Sequence, residues 1–181
     1  SVISGLFDTL EKAIEESRLV QFFHKNQYRL VKPYRVVSFD GYWYLLCEEV
    51  IDGRIKTFHI ARMKDLCLHE NHFEKDTTLA KRLDKAINAW FNPNVEPYEV
   101  ILEISAEIKR YMLDHPIAPT QKIVQELACG TFYLSLEITN EKEILSTIFK
   151  WIPHIRVIAP KDLQESVLLQ TKAFLEKQVL L

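Results

Sequence analysis

Between Lys32 and Leu66 the chain packs three strand-like runs and two Asp-Gly pairs into one unit, and that pattern restricts what the remainder can fold into. The middle run, Tyr42-Trp43-Tyr44-Leu45-Leu46-Cys47, is rich in the aromatic and branched residues that suit a pleated, half-buried surface. Asp40-Gly41 and Asp52-Gly53 bracket it, each offering the positive φ angles of a tight hairpin turn. A three-stranded antiparallel meander follows.

Upstream, Leu6, Leu10, Ala13 and Ile14 fall at helical spacing opposite Glu11, Glu15 and Glu16, which predicts an amphipathic helix. Ser17 to His24 reads as a strand, Lys25-Asn26-Gln27 as a turn, and a further strand begins at Tyr28. Pro33 interrupts that strand and belongs at a sheet edge, a bulge or a strand start, because it cannot donate to the ladder. A helix followed by five short strands is the pattern of a small SH3-like or Sm-like β-barrel. Trp43 and Leu45 share a strand face and are expected in its core, with Tyr44 on the other face.

Asp76 to Phe91 reads as a second helix with Asp76 as N-cap and Leu79, Leu83, Ala86, Ile87 and Trp90 along one stripe; Asn92-Pro93-Asn94 and Pro97 stop it. Beyond the break the predicted order is β-α-β-β-α-β. Strands lie at Tyr98–Ile104, Thr120–Ala128, Thr131–Ile138 and Ile155–Ala159, and helices at Ala106–Asp114 and from Asn140, whose capping partner is Glu143. Pro160 opens a last helix with Leu163, Val167, Phe174 and Leu175 on its buried side. This is the split βαβ, ferredoxin-like arrangement. The expected organisation is α+β: a barrel domain over residues 1–75, a connector helix and linker over 76–95, and a ferredoxin-like domain over 96–181.

Trp43-Tyr44-Leu45, with Pro33 upstream, Gly41 just before and Phe58-His59-Ile60-Ala61-Arg62-Met63 downstream, resembles the WYL domain of bacterial transcriptional regulators. Val157-Ile158-Ala159-Pro160-Lys161-Asp162-Leu163 is similar to the signature closing the C-terminal extension found behind many WYL domains, although Trp151-Ile152-Pro153 stands where a turn glycine is usual. The resemblance implies an SH3/Sm-like barrel and a ligand-sensing role. It further implies a positively charged groove for a single-stranded nucleic acid or nucleotide effector, with Arg29, Tyr44, Lys56, His59 and Arg62 at the matching positions. Phe23 replaces a frequent tyrosine, His59 a usual arginine and Ala61 an acid, so a neutral imidazole stands where a bidentate guanidinium would grip phosphate.

The residues themselves admit that site and a plainer alternative. His24, Arg29, Lys32, Arg35, Arg54, Lys56, His59 and Arg62 are interleaved with Phe23, Tyr28, Tyr34 and Tyr44, and cations beside aromatic faces suit phosphates and bases. Asp40, Glu48, Glu49 and Asp52 alternate with them, as on an ordinary solvated strand face. With 23 basic against 25 acidic residues, any polyanion site is local and not a property of the whole surface. His24, Arg29, Tyr44, Lys56, His59 and Arg62 are the candidate ligand residues.

Three cysteines without C-x-x-C spacing fit reduced thiols, and no apolar run is long enough to span a bilayer, so a cytoplasmic protein is expected. Cys67, His69, Glu70 and His72 carry metal-ligand residue types but read equally as a polar strand end. No phosphate loop, nucleophile elbow or paired carboxylate motif appears, so neither an enzyme nor a cofactor is expected. The abrupt start at Ser1-Val2-Ile3 suits a domain fragment whose winged helix-turn-helix, the part that would meet operator DNA, lies ahead of it. The expectation is the effector-sensing, homodimerising part of a regulator; the alternative is an assembly module that binds no ligand.

Overall fold

The computed structural model describes residues 2–179, so the start at Ser1 lies outside the described residues. It comprises two compact units, Ser1–Asp84 with Asn92–Asn94, and Lys85–Phe91 with Val95–Leu181. In the first, α1 (Val2–Glu15) precedes β1 (Arg18–His24), β2 (Gln27–Phe39), β3 (Tyr42–Glu49) and β4 (Ile55–His59). A single 3-10 turn, Ile60–Arg62, then leads to β5 (Lys64–His72) and α2 (Thr77–Leu83).

Each hairpin forms where the sequence tolerates left-handed backbone. Lys25 and Asn26 turn β1 into β2 with φ of 49° and 63°, and Asp40 and Gly41 turn β2 into β3 with φ of 51° and 80°. Pro33 borders a register shift between β2 and β3, a bulge where an absent N–H is tolerated. Alternation then sorts the side chains. Val20, Phe22, Val31, Leu45, Cys47 and Phe58 form the core with Leu10 and Ala13 of α1. Trp43 is 47% exposed and meets Phe7 edge-to-face at 5.2 Å, so it flanks α1 and does not fill the interior as expected.

The strand order is β4-β3-β2-β1-β5. The SH3/Sm-like β-barrel expected from the sequence is not formed, because no pairing joins β4 to β5 and the sheet stays open at both edges. Closure needs a continuous ladder around the ring. Here β4 runs for only five residues, and the turn at Ile60–Arg62 hands the chain to β5, which pairs with β1 through two register shifts. Asn94 also occupies the edge of β4: its Nδ2 donates to the Ile55 carbonyl at 3.2 Å, and its Oδ1 accepts from the Ile55 N–H at 3.4 Å.

α2 begins as expected, with the Asp76 carboxylate accepting from the N–H groups of Thr78 and Leu79 at 2.8 and 3.1 Å. It ends at Leu83, well short of Phe91. The apolar stripe of the sequence is divided. Leu79 and Leu83 are buried, whereas Ile87 packs on the core of the second unit, where Asn88 also donates to the Glu143 carbonyl at 2.9 Å.

The second unit runs β6 (Tyr98–Ile104), a 3-10 turn (Ala106–Ile108), α3 (Lys109–Asp114), β7 (Lys122–Glu126), β8 (Phe132–Ile138), α4 (Lys142–Lys150), β9 (Ile155–Ala159) and α5 (Lys161–Val179). Its sheet has the order β7-β8-β6-β9 with every pairing antiparallel, the ferredoxin-like topology. Val100, Leu102 and Ile104 line up beside Phe132, Leu134, Leu136 and Ile138 on one face of this sheet, and Ile144, Ile148 and Leu163 pack with them in the core. Leu163 is buried and Val167 partly so, but Phe174 and Leu175, expected inside, are 59% and 56% exposed.

Glu143, buried on α4, reaches back so that its Oε1 accepts from the N–H groups of Thr139 and Asn140 at 2.7 and 3.3 Å, as a capping-box acid does. Removing it leaves these donors without their acceptor. Glu143→Ala is expected to lower stability by about 2 kcal/mol in urea unfolding; an unchanged midpoint would show that the cap is dispensable.

Candidate anion-binding site on the first sheet

Pairing registers divide the six candidate residues between the two faces of the first sheet. Phe22 lies opposite Arg29, Val31 opposite Glu49, Cys47 opposite Lys56, and Leu45 opposite Phe58. Cross-strand partners share a face, and residues two apart on one strand share it too. His24, Arg29 and Lys56 therefore lie on the face of Phe22, Leu45 and Phe58, at the end of the sheet beyond its apolar core. Tyr44 and His59 are partners on the opposite face.

On the inner face Phe58 is the organising ring. His24 meets it edge-on at 5.1 Å, and the Arg29 guanidinium stands 6.0 Å from its centre. Arg62 is the last residue of the short turn after β4. Burial pushes the His24 imidazole below its ordinary value of 6.5, and the charges of Lys25, Arg29 and Arg62 push the same way. His24 Nδ1 is buried without a hydrogen-bond partner. Those influences place His24 among three cations.

A carboxylate lies among these cations. Glu49, 1% exposed, accepts from Arg29 Nη1 through Oε1 at 2.5 Å and from Lys56 Nζ through Oε2. Asp52 Oδ2 stands 3.4 Å from the same ammonium. The hydrogen bond that the Lys56 ammonium donates to Glu49 is the main reason that it is held above its ordinary range. Arg29 and Lys56 are thus balanced by Glu49 and Asp52, whereas Lys25 and Arg62 form no ion pair among the described residues. Sequence reading treated Glu49 as one of several surface acids; its parity with Leu45 and Cys47 on β3 is the signal that places it inside.

The opposite face carries an aromatic set instead. His59 is edge-on to Tyr44 at 5.2 Å and 5.3 Å from Tyr42, while Phe39 lies 5.9 Å from Tyr44. Tyr42 is largely exposed, which leaves a ring surface available for stacking. Elsewhere, Lys32 is engaged by Glu48 at 2.6 Å and Arg35 by Asp84. Among the described residues, no group of three or more His, Cys, Asp and Glu could hold a metal ion, Cys67, His69, Glu70 and His72 included.

Residues 5–68 match the model of the WYL domain, and residues 96–175 that of the WCX domain. The chain is a WYL-domain-containing protein. The WYL match spans α1 and the whole open sheet up to Leu68, and the WCX match spans the ferredoxin-like unit. No curated protein matches the chain. Among solved structures it is similar to a CRISPR Cas-related protein, at 13% identity and a TM-score of 0.58, over 97% of this chain and 54% of that one. It is also similar to proteasome accessory factor B/C (PafBC) of Arthrobacter aurescens, at 16% identity and a TM-score of 0.40, over 91% of this chain and 26% of that one. The chain thus spans about half the length of the first and about a quarter of the second.

The depressed imidazole of the WYL domain gives a pH signature. Well above 6.5 His24 is neutral whether the chain is folded or unfolded. As pH falls through 6.5 towards the lower folded value, the unfolded chain takes up a proton that the folded chain refuses, so folding loses stability in that window. His24→Gln is expected to flatten the urea midpoint against pH just below 6.5, and a slope equal to that of the unsubstituted protein would discard this role.

Proposed function

We propose that this chain is the effector-sensing part of a bacterial transcriptional regulator, and that its effector is a nucleic-acid-derived polyanion bound at the basic end of the first sheet. The single observation that carries the reading is the gathering of His24 and Arg29 at the Phe58 ring, with the charges of Lys25 and Arg62 near enough to act on His24. Its excess positive charge is supplied by Arg62 and Lys25, because Arg29 and Lys56 already have carboxylate partners.

The division between faces also bears on ligand size. Lys56 and His59 stand on β4, the edge strand, with the cations on one face and the Tyr44–His59–Tyr42 rings on the other. A single mononucleotide cannot lie on both faces. A flexible single strand can pass around the edge, with phosphates on the cationic side and bases against the rings. In this reading the bound strand favours one arrangement of the chain over another, and that population shift controls a winged helix-turn-helix outside these 181 residues.

A second reading, homodimeric assembly without a ligand, is supported by the apolar residues that α5 leaves exposed, namely Leu168, Leu169, Phe174 and Leu175. Sedimentation separates the two. Assembly alone predicts a dimer indifferent to oligonucleotide and dispersed by Leu175→Glu, and a monomer at all concentrations would eliminate it.

The sensing reading is checked by fluorescence anisotropy with a labelled oligothymidylate at low salt. Arg62→Ala is expected to weaken binding about tenfold and to reduce the slope of log K against log salt by about 0.7. Binding that Arg62→Ala leaves unaltered would place the ligand elsewhere.

A further inference from the structure

We propose that Glu49 is the resident counter-ion of the anion site: the carboxylate with which an incoming phosphate must compete for Arg29 and Lys56, and the residue that sets the site's affinity and its preference for polyvalent anions. This inference rests on the sensing reading above and adds what regulates that site.

Three observations carry it. The Glu49 side chain is 2% exposed, while those of Arg29 and Lys56 are 18% and 33% exposed, so the acid sits behind the two cations and they look outward. Each carboxylate oxygen is committed to a different cation, and those cations come from β2 and β4, on the two sides of the strand that holds Glu49. Glu49 also anchors the turn between β3 and β4: its N–H donates to the Arg54 carbonyl at 2.9 Å and its carbonyl accepts from the Gly53 N–H at 2.9 Å. That turn holds Asp52 near Lys56, so both acids of the cluster are delivered by one short segment.

The electrostatics follow from the count. Arg29 and Lys56 supply two positive charges, and Glu49 and Asp52 supply two negative ones, so the cluster offers a monovalent anion no net attraction. A polyvalent strand differs because it engages Lys25 and Arg62 at the same time and gains there what it lacks at the balanced pair. A purely structural ion pair would also be buried, but its removal would not tighten binding. Loss of a buried carboxylate leaves its partners seeking an anion, and at an exposed cluster a ligand phosphate can supply it.

The test measures labelled oligothymidylate binding to the intact 181-residue chain by anisotropy at low salt, with inorganic phosphate as competitor. Glu49→Gln, which keeps the shape and removes the charge, is expected to raise affinity about tenfold and to let phosphate compete where it does not compete for the unsubstituted protein. Adding Lys56→Met to that variant is expected to cancel the gain. Should Glu49→Gln fail to fold by circular dichroism, Asp52→Asn at the exposed turn carries the test, with an expected gain of about twofold. If the unsubstituted protein binds and the folded variant binds no tighter, the counter-ion role is overturned while the sensing reading stands. If neither binds at any salt concentration, the sensing reading fails, and this inference with it.

Discussion

Strand β3 is paired along most of its length on both sides, to β2 and to β4, and the first unit depends on that double registry. Its side chains alternate between Leu45, Cys47 and Glu49 on the inner face and Tyr44, Leu46 and Glu48 on the outer one. A slip of one residue would exchange the two sets, exposing the core and burying the rings that pair with His59. The turn at Asp40-Gly41 prevents the slip, because its positive φ angles fix which residues face each other across the hairpin. The same registry that builds the core therefore brings Glu49 between Arg29 and Lys56.

A carboxylate in that position carries a large desolvation cost. Only close partners offset it, and the pairing adds little net stability compared with an apolar side chain of similar size. Glu49 has such partners on two strands, so its cost is met by cations that could otherwise face solvent alone. The arrangement restrains Arg29 and Lys56, which preorganises them, and it also cancels their charge. Preorganisation favours tight binding and cancellation opposes it, so affinity at the proposed site turns on which effect is larger for a given anion.

Much of the fold could be read from local chemistry. Asp-Gly pairs, Asp76 before its helix, and the Asn140–Glu143 spacing each specify backbone geometry within a few residues, and each is found where the pattern places it. The ferredoxin-like order followed as well, because short connections between alternating elements leave few topologies. What could not be read depends on distant groups. Whether a five-stranded sheet closes is decided by hydrogen bonds between β4 and β5, for which no local residue is a marker. The helical stripe from Leu79 to Trp90 is periodic throughout, yet its two ends belong to different units, so periodicity alone overextends the helix. Phe174 and Leu175 keep the helical spacing of Leu163 after α5 has run past the core that Leu163 fills, and spacing carries no information about where a core ends. At the site, residue types were legible and faces only partly so. Lys56 and Phe58 were separable from His59 by parity, but the assignment of Arg29 and Glu49 to the same face required the register across β2 and β3.

β4 is where these features meet. It is an edge strand, and an open edge ordinarily invites pairing with another chain. Asn94 blocks part of that edge by offering Ile55 both an acceptor and a donor, as a neighbouring strand would. Ile55 immediately precedes Lys56, and Asn94 is held in turn by Asn92, whose Oδ1 accepts from its N–H at 3.1 Å. Asn94 is thus fastened to the strand bearing the cation that Glu49 restrains. A ligand can alter that fastening only by the difference between its affinities for two positions of β4. In the proposed competition with Glu49 such a difference arises at Lys56, because an anion there displaces the Glu49 and Asp52 carboxylates from the ammonium, whereas a ligand confined to the Tyr42 and Tyr44 rings leaves those ion pairs untouched.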